Sequence, residues 1–208
     1  MTRPNFELED ACDLPVIYGV DEVGRGPLAG PVVAACAYIP KVKRHHPVWS
    51  QVRDSKKLSA IRRDMLFSSI TTQCIFGIGI ASVEEIDQIN ILQATFLAMK
   101  RALSTCSPTP DKVLIDGNRS PKDWEWDHQT VIKGDCQSVS IAAASIIAKV
   151  TRDRIMTELD IEYPHYHWAD NAGYGTAHHL SSLNNFGATP HHRKSFSPVR
   201  DLIQKQAG

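Results

Sequence analysis

Residues 15–39 read PVIYGVDEVGRGPLAGPVVAACAYI, and this stretch decides the kind of fold. Residues 15–23 are apolar and β-branched at Val16, Ile17, Val20 and Val23, and they run into a glycine turn, so they read as a strand. Residues 31–39 form a second apolar run with Val32, Val33 and Tyr38. The short Gly- and Pro-rich link between the two predicts an antiparallel hairpin. Asp21 and Glu22 stand side by side inside the first apolar run. Paired acids in such a strand cost stability unless something binds them.

Outward from the hairpin, residues 41–47 read as a basic loop. Ser59 can cap a helix running to about Thr72, with Ile61, Met65, Leu66 and Ile70 on one face. Residues 75–80 read as a third strand, and the alternating Gly77 and Gly79 predict something packed closely against it. Ser82 with Glu85 three residues on is a capping-box signature. A second helix is expected over residues 91–106, broken by Pro108 and Pro110. Strands follow at residues 112–116 and 129–132, separated by a polar loop holding Trp124 and Trp126. A long helix over residues 138–159, a short one over 177–186 and a last one from about Val199 complete the reading. Strands first, then strands alternating with helices, predict an α/β fold with helices on the sheet faces. Cys36 is expected as a small core residue.

The chain has 208 residues, enough for one domain with a real core. No apolar run reaches the roughly 18 residues that span a bilayer. Residues 1–13 form a polar leader without the apolar core of a secretory signal. The five cysteines are odd in number and widely spaced, which disfavours a disulfide framework or zinc site and fits a reducing cytoplasm. Lys plus Arg equals Asp plus Glu at 23 each, so net charge gives no sign of a nucleic-acid partner; distribution decides that. His165, His167, His178, His179, His191 and His192 crowd the end of the chain and read as a mostly neutral, solvated surface or as a polar surface facing phosphates.

Four acids fall at strand-to-loop boundaries beside glycines: Asp21 and Glu22 before Gly24, Asp116 before Gly117, and Asp135 after Gly134. Ligand sites of α/β sheets gather at such edges. Gathered carboxylates repel one another unless hard divalent cations such as Mg²⁺ or Mn²⁺ neutralise them. Two such ions about 4 Å apart can activate water and stabilise the leaving oxygen of a phosphodiester. Taken singly, Asp135 could equally cap the following helix, and Asp116 could serve a turn.

The stretch 19–33, with Gly24, Arg25 and Gly26, resembles the opening motif of bacterial ribonuclease HII. The likeness continues in order through Asp54-Ser55-Lys56-Lys57-Leu58, Ile115-Asp116-Gly117-Asn118, Lys133-Gly134-Asp135 and the stretch 145–153. It closes with Gly173-Tyr174-Gly175-Thr176 and His192-Arg193-Lys194-Ser195-Phe196. The resemblance implies a ribonuclease H-like fold: a central mixed five-stranded sheet flanked by helices, with a helical carboxy-terminal part over about 160–208 that contacts substrate. It implies that Asp21, Glu22, Asp116 and Asp135 bind two Mg²⁺ or Mn²⁺ ions. The implied reaction is hydrolysis of RNA in RNA–DNA hybrids, or at single ribonucleotides in duplex DNA, leaving 5′-phosphate and 3′-hydroxyl ends.

Gly24, Arg25 and Gly26 would then read a 2′-hydroxyl through their backbone, though the same residues also suit a tight turn. Tyr174 would pack on the deoxyribose after the ribonucleotide; without the resemblance it is a half-buried loop tyrosine. Lys56, Lys149, Arg193 and Ser195 match positions near the phosphate backbone, and as isolated residues would be surface charges or caps. Trp168 has no assigned role, and no sliding-clamp-binding peptide is recognisable. A monomer is the default expectation. Two rivals stay open: a nuclease of the same fold acting on DNA, and a non-catalytic nucleic-acid-binding module.

Overall fold

The structure is a computed structural model that describes residues 3–52, 55 and 58–207. Five strands form one sheet: β1 (Ile17–Val23), β2 (Val32–Tyr38), β3 (Ile75–Ala81), β4 (Lys112–Asp116) and β5 (His128–Val131), in the order β3-β2-β1-β4-β5. The β1–β2 pair is antiparallel, as the glycine-rich link predicts, and so is β2–β3, while β1–β4 and β4–β5 are parallel. The mixed five-stranded sheet expected from the resemblance is therefore present.

Side chains alternate across a strand, so each strand feeds two cores. Val33, Ala35 and Ala37 of β2 face α4 (Val139–Glu162) and α2 (Ala60–Thr71). Val32, Ala34 and Cys36 face α3 (Val83–Ser104) on the other side. The start of α4 is lined with Ala142, Ala143 and Ala144, all fully buried, which lets the helix lie close on the sheet. On the opposite face, α3 presses on β3: a Cβ at Gly79 would lie 1.9 Å from the Ala98 carbonyl oxygen. That is the close packing the alternating glycines predict.

Several boundaries differ from the sequence reading. The polar leader contains a short helix, α1 (Glu7–Ala11). Its Glu9 is buried and accepts hydrogen bonds from the hydroxyls of Ser138 and Ser140 and from the Ser140 N–H, at the first turn of α4. The capping box at Ser82 and Glu85 is present, but it opens α3 eight residues before Ile91. Asn90, at φ 67°, breaks this helix, and its side chain accepts from the N–H groups of Leu92 and Gln93. The expected helix from Ile91 is thus the second, separately capped part of α3.

The carboxy-terminal part is helical, with α5 (Trp168–Asn171), α6 (Ala177–Phe186) and α7 (Val199–Ala207). Trp168 is fully buried there, packed on Tyr166 and on the rings of His179 and His192. Both of those histidines are also fully buried, contrary to the reading of a solvated surface; His165, His167 and His178 are exposed as expected. Among the described residues no helix is long and apolar enough to cross a membrane.

Candidate active site

The register of the parallel strands brings the acids together. Tyr18 pairs with Val113 and Val20 with Ile115, so Asp21 and Asp116 are the next positions at the ends of neighbouring strands. Ile17 and Leu114 point towards α4, and by the two-residue period Asp21 and Asp116 point the same way. Asp21 is 7% exposed. Its Oδ1 accepts the Glu22 N–H at 2.7 Å, and the Ser145 side chain on α4 also bonds to its carboxylate. Ser145 is steadied in turn by the Ser55 hydroxyl at 2.9 Å.

Asp116 accepts the Gly134 N–H at 2.6 Å, which draws the loop carrying Asp135 to the strand end. Asp135 lies in the 3-10 turn Gly134–Cys136. It does not cap α4; Ser138 does so by accepting the Ile141 N–H. The alternative reading of Asp135 as a helix cap therefore falls away. Glu22 lies 3.4 Å from the Arg25 guanidinium.

The electrostatics describe a crowded anionic cluster. Burial first, then the charges of Glu22 and Asp116, push the Asp21 carboxyl well above the ordinary range. Burial raises Asp116 as well, with the Gly134 N–H opposing and the Asp135 charge adding to the rise. Such a cluster fits a hard divalent cation, which would replace mutual repulsion with attraction. Among the described residues no three His, Cys, Asp or Glu side chains already close on a point as a full cage. Small hard cations such as Mg²⁺ use one or two carboxylates, with waters and substrate phosphates completing the shell. The donor set therefore fits an ion finished by its substrate.

Beside the acids lies the Gly24-Arg25-Gly26 turn. Gly24 has φ 97°, and a Cβ there would lie 2.2 Å from Nε of Arg152. No side chain fits, because two buried guanidinium groups lie beneath the turn. Arg152 donates to the carbonyls of Pro31, Ala172 and Ala29. Arg193 donates to those of Gly24, Arg25 and Gly30. Arg193, expected beside substrate phosphates, is fully buried and spends its donors on these carbonyls, so it shapes the turn from below.

Tyr174 is 48% exposed, and its ring lies 3.4 Å from where a Gly26 Cβ would stand. Its carbonyl is held by His179 Nδ1 at 2.9 Å. His179 Nε2 accepts from the Trp168 indole and meets His192 Nε2 at 3.0 Å. His192 Nδ1 accepts the Thr189 N–H. With both histidines neutral, every ring nitrogen has a matched partner. Lys149 lies on α4 one turn beyond Ser145 and pairs with Asp153 at 2.5 Å. Ser195 is exposed, and its hydroxyl donates to Asp87. Lys56, with Asp54 and Lys57, lies outside the described residues.

The sequence reading missed Ser145, Arg152, His179 and His192 as supports of the site. For Arg152 a signal was present: it stands one helical turn from both Ala148 and Met156, a cation in line with small and apolar residues.

An acid cluster on the adjacent central strands of a β3-β2-β1-β4-β5 sheet, covered by helices on both faces, defines a ribonuclease H-like α/β enzyme. The sequence profile of the family described as Ribonuclease HII matches residues 18–199. A ribonuclease HII from Wolbachia pipientis subsp. Culex pipiens is 50% identical over 202 residues, which cover 97% of this chain and 100% of that one. The crystal structure of ribonuclease H2 from Pyrococcus horikoshii OT3 superposes with a TM-score of 0.73 at 27% identity, over 91% of this chain and 98% of that one. The structure of Bst-RNase HIII in complex with Mn²⁺ shares the fold, with a TM-score of 0.67 at 18% identity, over 91% of this chain and 70% of that one. The chain belongs to the ribonuclease HII family and is an endoribonuclease of the ribonuclease H type. The family depends on divalent metal.

Proposed function

We propose that the protein cuts the RNA strand of RNA–DNA hybrids and nicks duplex DNA at single ribonucleotides, with two Mg²⁺ or Mn²⁺ ions held by Asp21, Glu22, Asp116 and Asp135. The observation that carries this reading is the burial of Asp21 against Glu22 and Asp116, a set of charges that a cation would satisfy. When bound, the ions supply an activated water and charge stabilisation for the departing 3′-oxygen, leaving 5′-phosphate and 3′-hydroxyl ends. The chain's own part is to hold the carboxylates still. The Glu22 N–H and Ser145 fix Asp21, and the Gly134 N–H fixes Asp116.

Recognition of RNA falls to the turn. Arg193 takes up the carbonyls of Gly24 and Arg25, while the N–H groups of Arg25 and Gly26 have no partner among the described residues. Those donors are free to meet a 2′-hydroxyl, the group that separates RNA from DNA. Tyr174, across from Gly26, offers a ring face to the next sugar, where a 2′-hydroxyl would be crowded. Lys149, Lys56 and Ser195 are assigned to the phosphate backbone, with Arg193 acting through the turn. A single chain acting in the cytoplasm completes the proposal, and five free thiols suit that compartment.

The test is a labelled DNA duplex carrying one ribonucleotide, incubated with Mg²⁺, Mn²⁺ or EDTA beside an all-DNA duplex of the same sequence. A metal-dependent nick 5′ of the ribonucleotide, with the all-DNA duplex intact, is expected. Equal cutting of both duplexes would assign the site to DNA chemistry, and binding in EDTA with no cutting in either metal would leave a binding module.

A further inference from the structure

A cleft of about 620 Å³ lies between α3 and the loop that leaves β4. Phe96 forms part of its apolar floor, and Trp124 stands in its wall. Trp124 is held edge-on against Trp126 at 5.7 Å and against His128 at 5.6 Å, so its ring is already fixed in place. Lys100, Arg119 and Lys122 surround the opening, with Asp123 as the only acid among the lining residues.

Among the described residues, some surface cations face a carboxylate and others, such as Lys41, Lys43 and Lys133, do not; the three at the cleft are of the second kind, and what sets them apart is that they gather beside aromatic rings. Arg25, Arg44, Arg63, Arg101, Lys112, Lys149 and Arg154 each face a carboxylate. Lys100, Arg119 and Lys122 have no such partner among the described residues. In a chain of zero net charge, unpaired cations collected at one aromatic cleft mark a place for an anion with an apolar face. Nucleic acid has that chemistry: phosphates for the cations, sugars and bases for the rings.

The loop lining the cleft starts at the strand end that carries Asp116, while the cleft itself opens on the α3 face of the sheet. Arg119 is three residues past Asp116, so the two Cα atoms are at most about 11 Å apart. A nucleic-acid strand advances about 3.4 Å per nucleotide, so that reach is roughly three nucleotides. On its other side, Asp87 in the first part of α3 accepts the N–H groups of Lys194 and Ser195, which ties the cleft's helix to the segment assigned to the phosphate backbone.

We propose that this cleft is a second nucleic-acid subsite, in which Lys100, Arg119 and Lys122 hold backbone phosphates a few nucleotides from the cut while Phe96 and Trp124 support a sugar or base. The inference rests on reading the acid cluster as the hybrid-cutting centre. The subsite sets affinity and footprint, not the chemical step.

The test compares wild type with an Arg119→Gln/Lys122→Gln double variant and, as a control, Lys41→Gln/Lys43→Gln in the exposed basic loop. Steady-state cutting gives KM and kcat. Hybrid binding is followed against salt with Asp21→Asn present in all three proteins, so that nothing is cut. The cleft variant should raise KM about tenfold with kcat within about twofold, and should flatten the plot of log affinity against log salt by about 1.8, near 0.9 per lost phosphate contact. The control should change neither. Shortening the hybrid by four base pairs on one flank should weaken the wild type and leave the cleft variant unaffected. A cleft variant matching wild type in slope and KM, or a control that shifts equally, overturns the subsite. A wild type that cuts no hybrid overturns the functional reading instead, so the two failures are distinct.

Discussion

Two buried polar clusters lie within a few residues of each other and follow opposite rules. In the acid cluster, Asp21, Glu22, Asp116 and Asp135 set like charges side by side, and burial pushes Asp21 and Asp116 towards their neutral forms. In the clamp beneath the Gly24-Arg25-Gly26 turn, Arg152 and Arg193 spend their donors on main-chain carbonyls, and His179 and His192 share one chain of hydrogen bonds. The first cluster leaves carboxylates facing one another; in the second, burial and the Arg152 charge also disfavour the Arg193 cation, but main-chain carbonyls meet both guanidinium groups. A working site keeps its unsatisfied charge where a ligand arrives, and a finished network next door keeps that charge in place.

The sharpest way to break this contrast is Asp21→Asn. On the metal-binding role proposed for Asp21, its loss should cost roughly a thousandfold or more in cleavage, about 4 kcal/mol of transition-state stabilisation. In EDTA the variant should melt at or above wild type, because one repelling charge is gone. Mn²⁺ should raise the wild-type Tm and leave the variant's nearly unchanged. Scanning fluorimetry and a gel assay read all three, and a variant melting well below wild type in EDTA would show that the cluster is not frustrated.

Arg193→Met probes the clamp and should behave in the opposite way. It orphans the carbonyls of Gly24, Arg25 and Gly30, costing about 3 kcal/mol and lowering Tm by roughly 6–12 °C whether or not metal is present. A loss of activity with no change in Tm would instead place Arg193 on the substrate.

Acid titration separates the clusters by sign. Burial holds His192 down at about 3 and holds His179 below its ordinary value. The unfolded chain therefore takes up protons near pH 6.5 that the folded chain refuses, and stability falls as pH drops below that point. Between pH 6.5 and 5 the loss from His192 is about 1.6 kcal/mol. Asp21 works the other way, since a raised carboxyl gains stability as pH falls, so the histidine slope is best read in Asp21→Asn. A Tm that is flat or rising from pH 6.5 to 5 in that background would mean the histidines are charged in the fold.

Ser82→Ala lies outside both clusters and sets the baseline. Loss of the capping box should cost about 1 kcal/mol, or 2–4 °C, with cleavage unchanged. If it affected activity as much as Arg193→Met does, the difference between the two clusters would be one of general stability.

The sheet was legible because each strand is an apolar run with turn residues at its ends, and the acids stood out because Asp21 and Glu22 interrupt one of those runs. The five-residue α1 is too short to show a period, and Glu9 looks like any surface acid until Ser138 and Ser140 meet it. Arg193, His179 and His192 misled for a shared reason. Their residue types favour the surface, and only partners distant in sequence reveal that they are buried; Arg193 reaches Gly24 across 169 positions. Ring-nitrogen pairing and guanidinium–carbonyl bonds leave no local pattern to read.

The β1–β4 register carries a consequence for the order in which the chain acquires its properties. The β1–β2 hairpin closes over a short turn and can form early, whereas the parallel pairing beside it joins segments such as Val16 and Asp111, 95 positions apart. Closing so long a loop is slow, and local contacts form first. During synthesis Asp21 therefore waits on a formed hairpin for Asp116, then for Asp135, and finally for Ser145 on α4. A growing chain carries Asp21 and Glu22 long before Asp116 and Asp135 exist to join them, so the proposed site is complete only when most of the polypeptide has emerged.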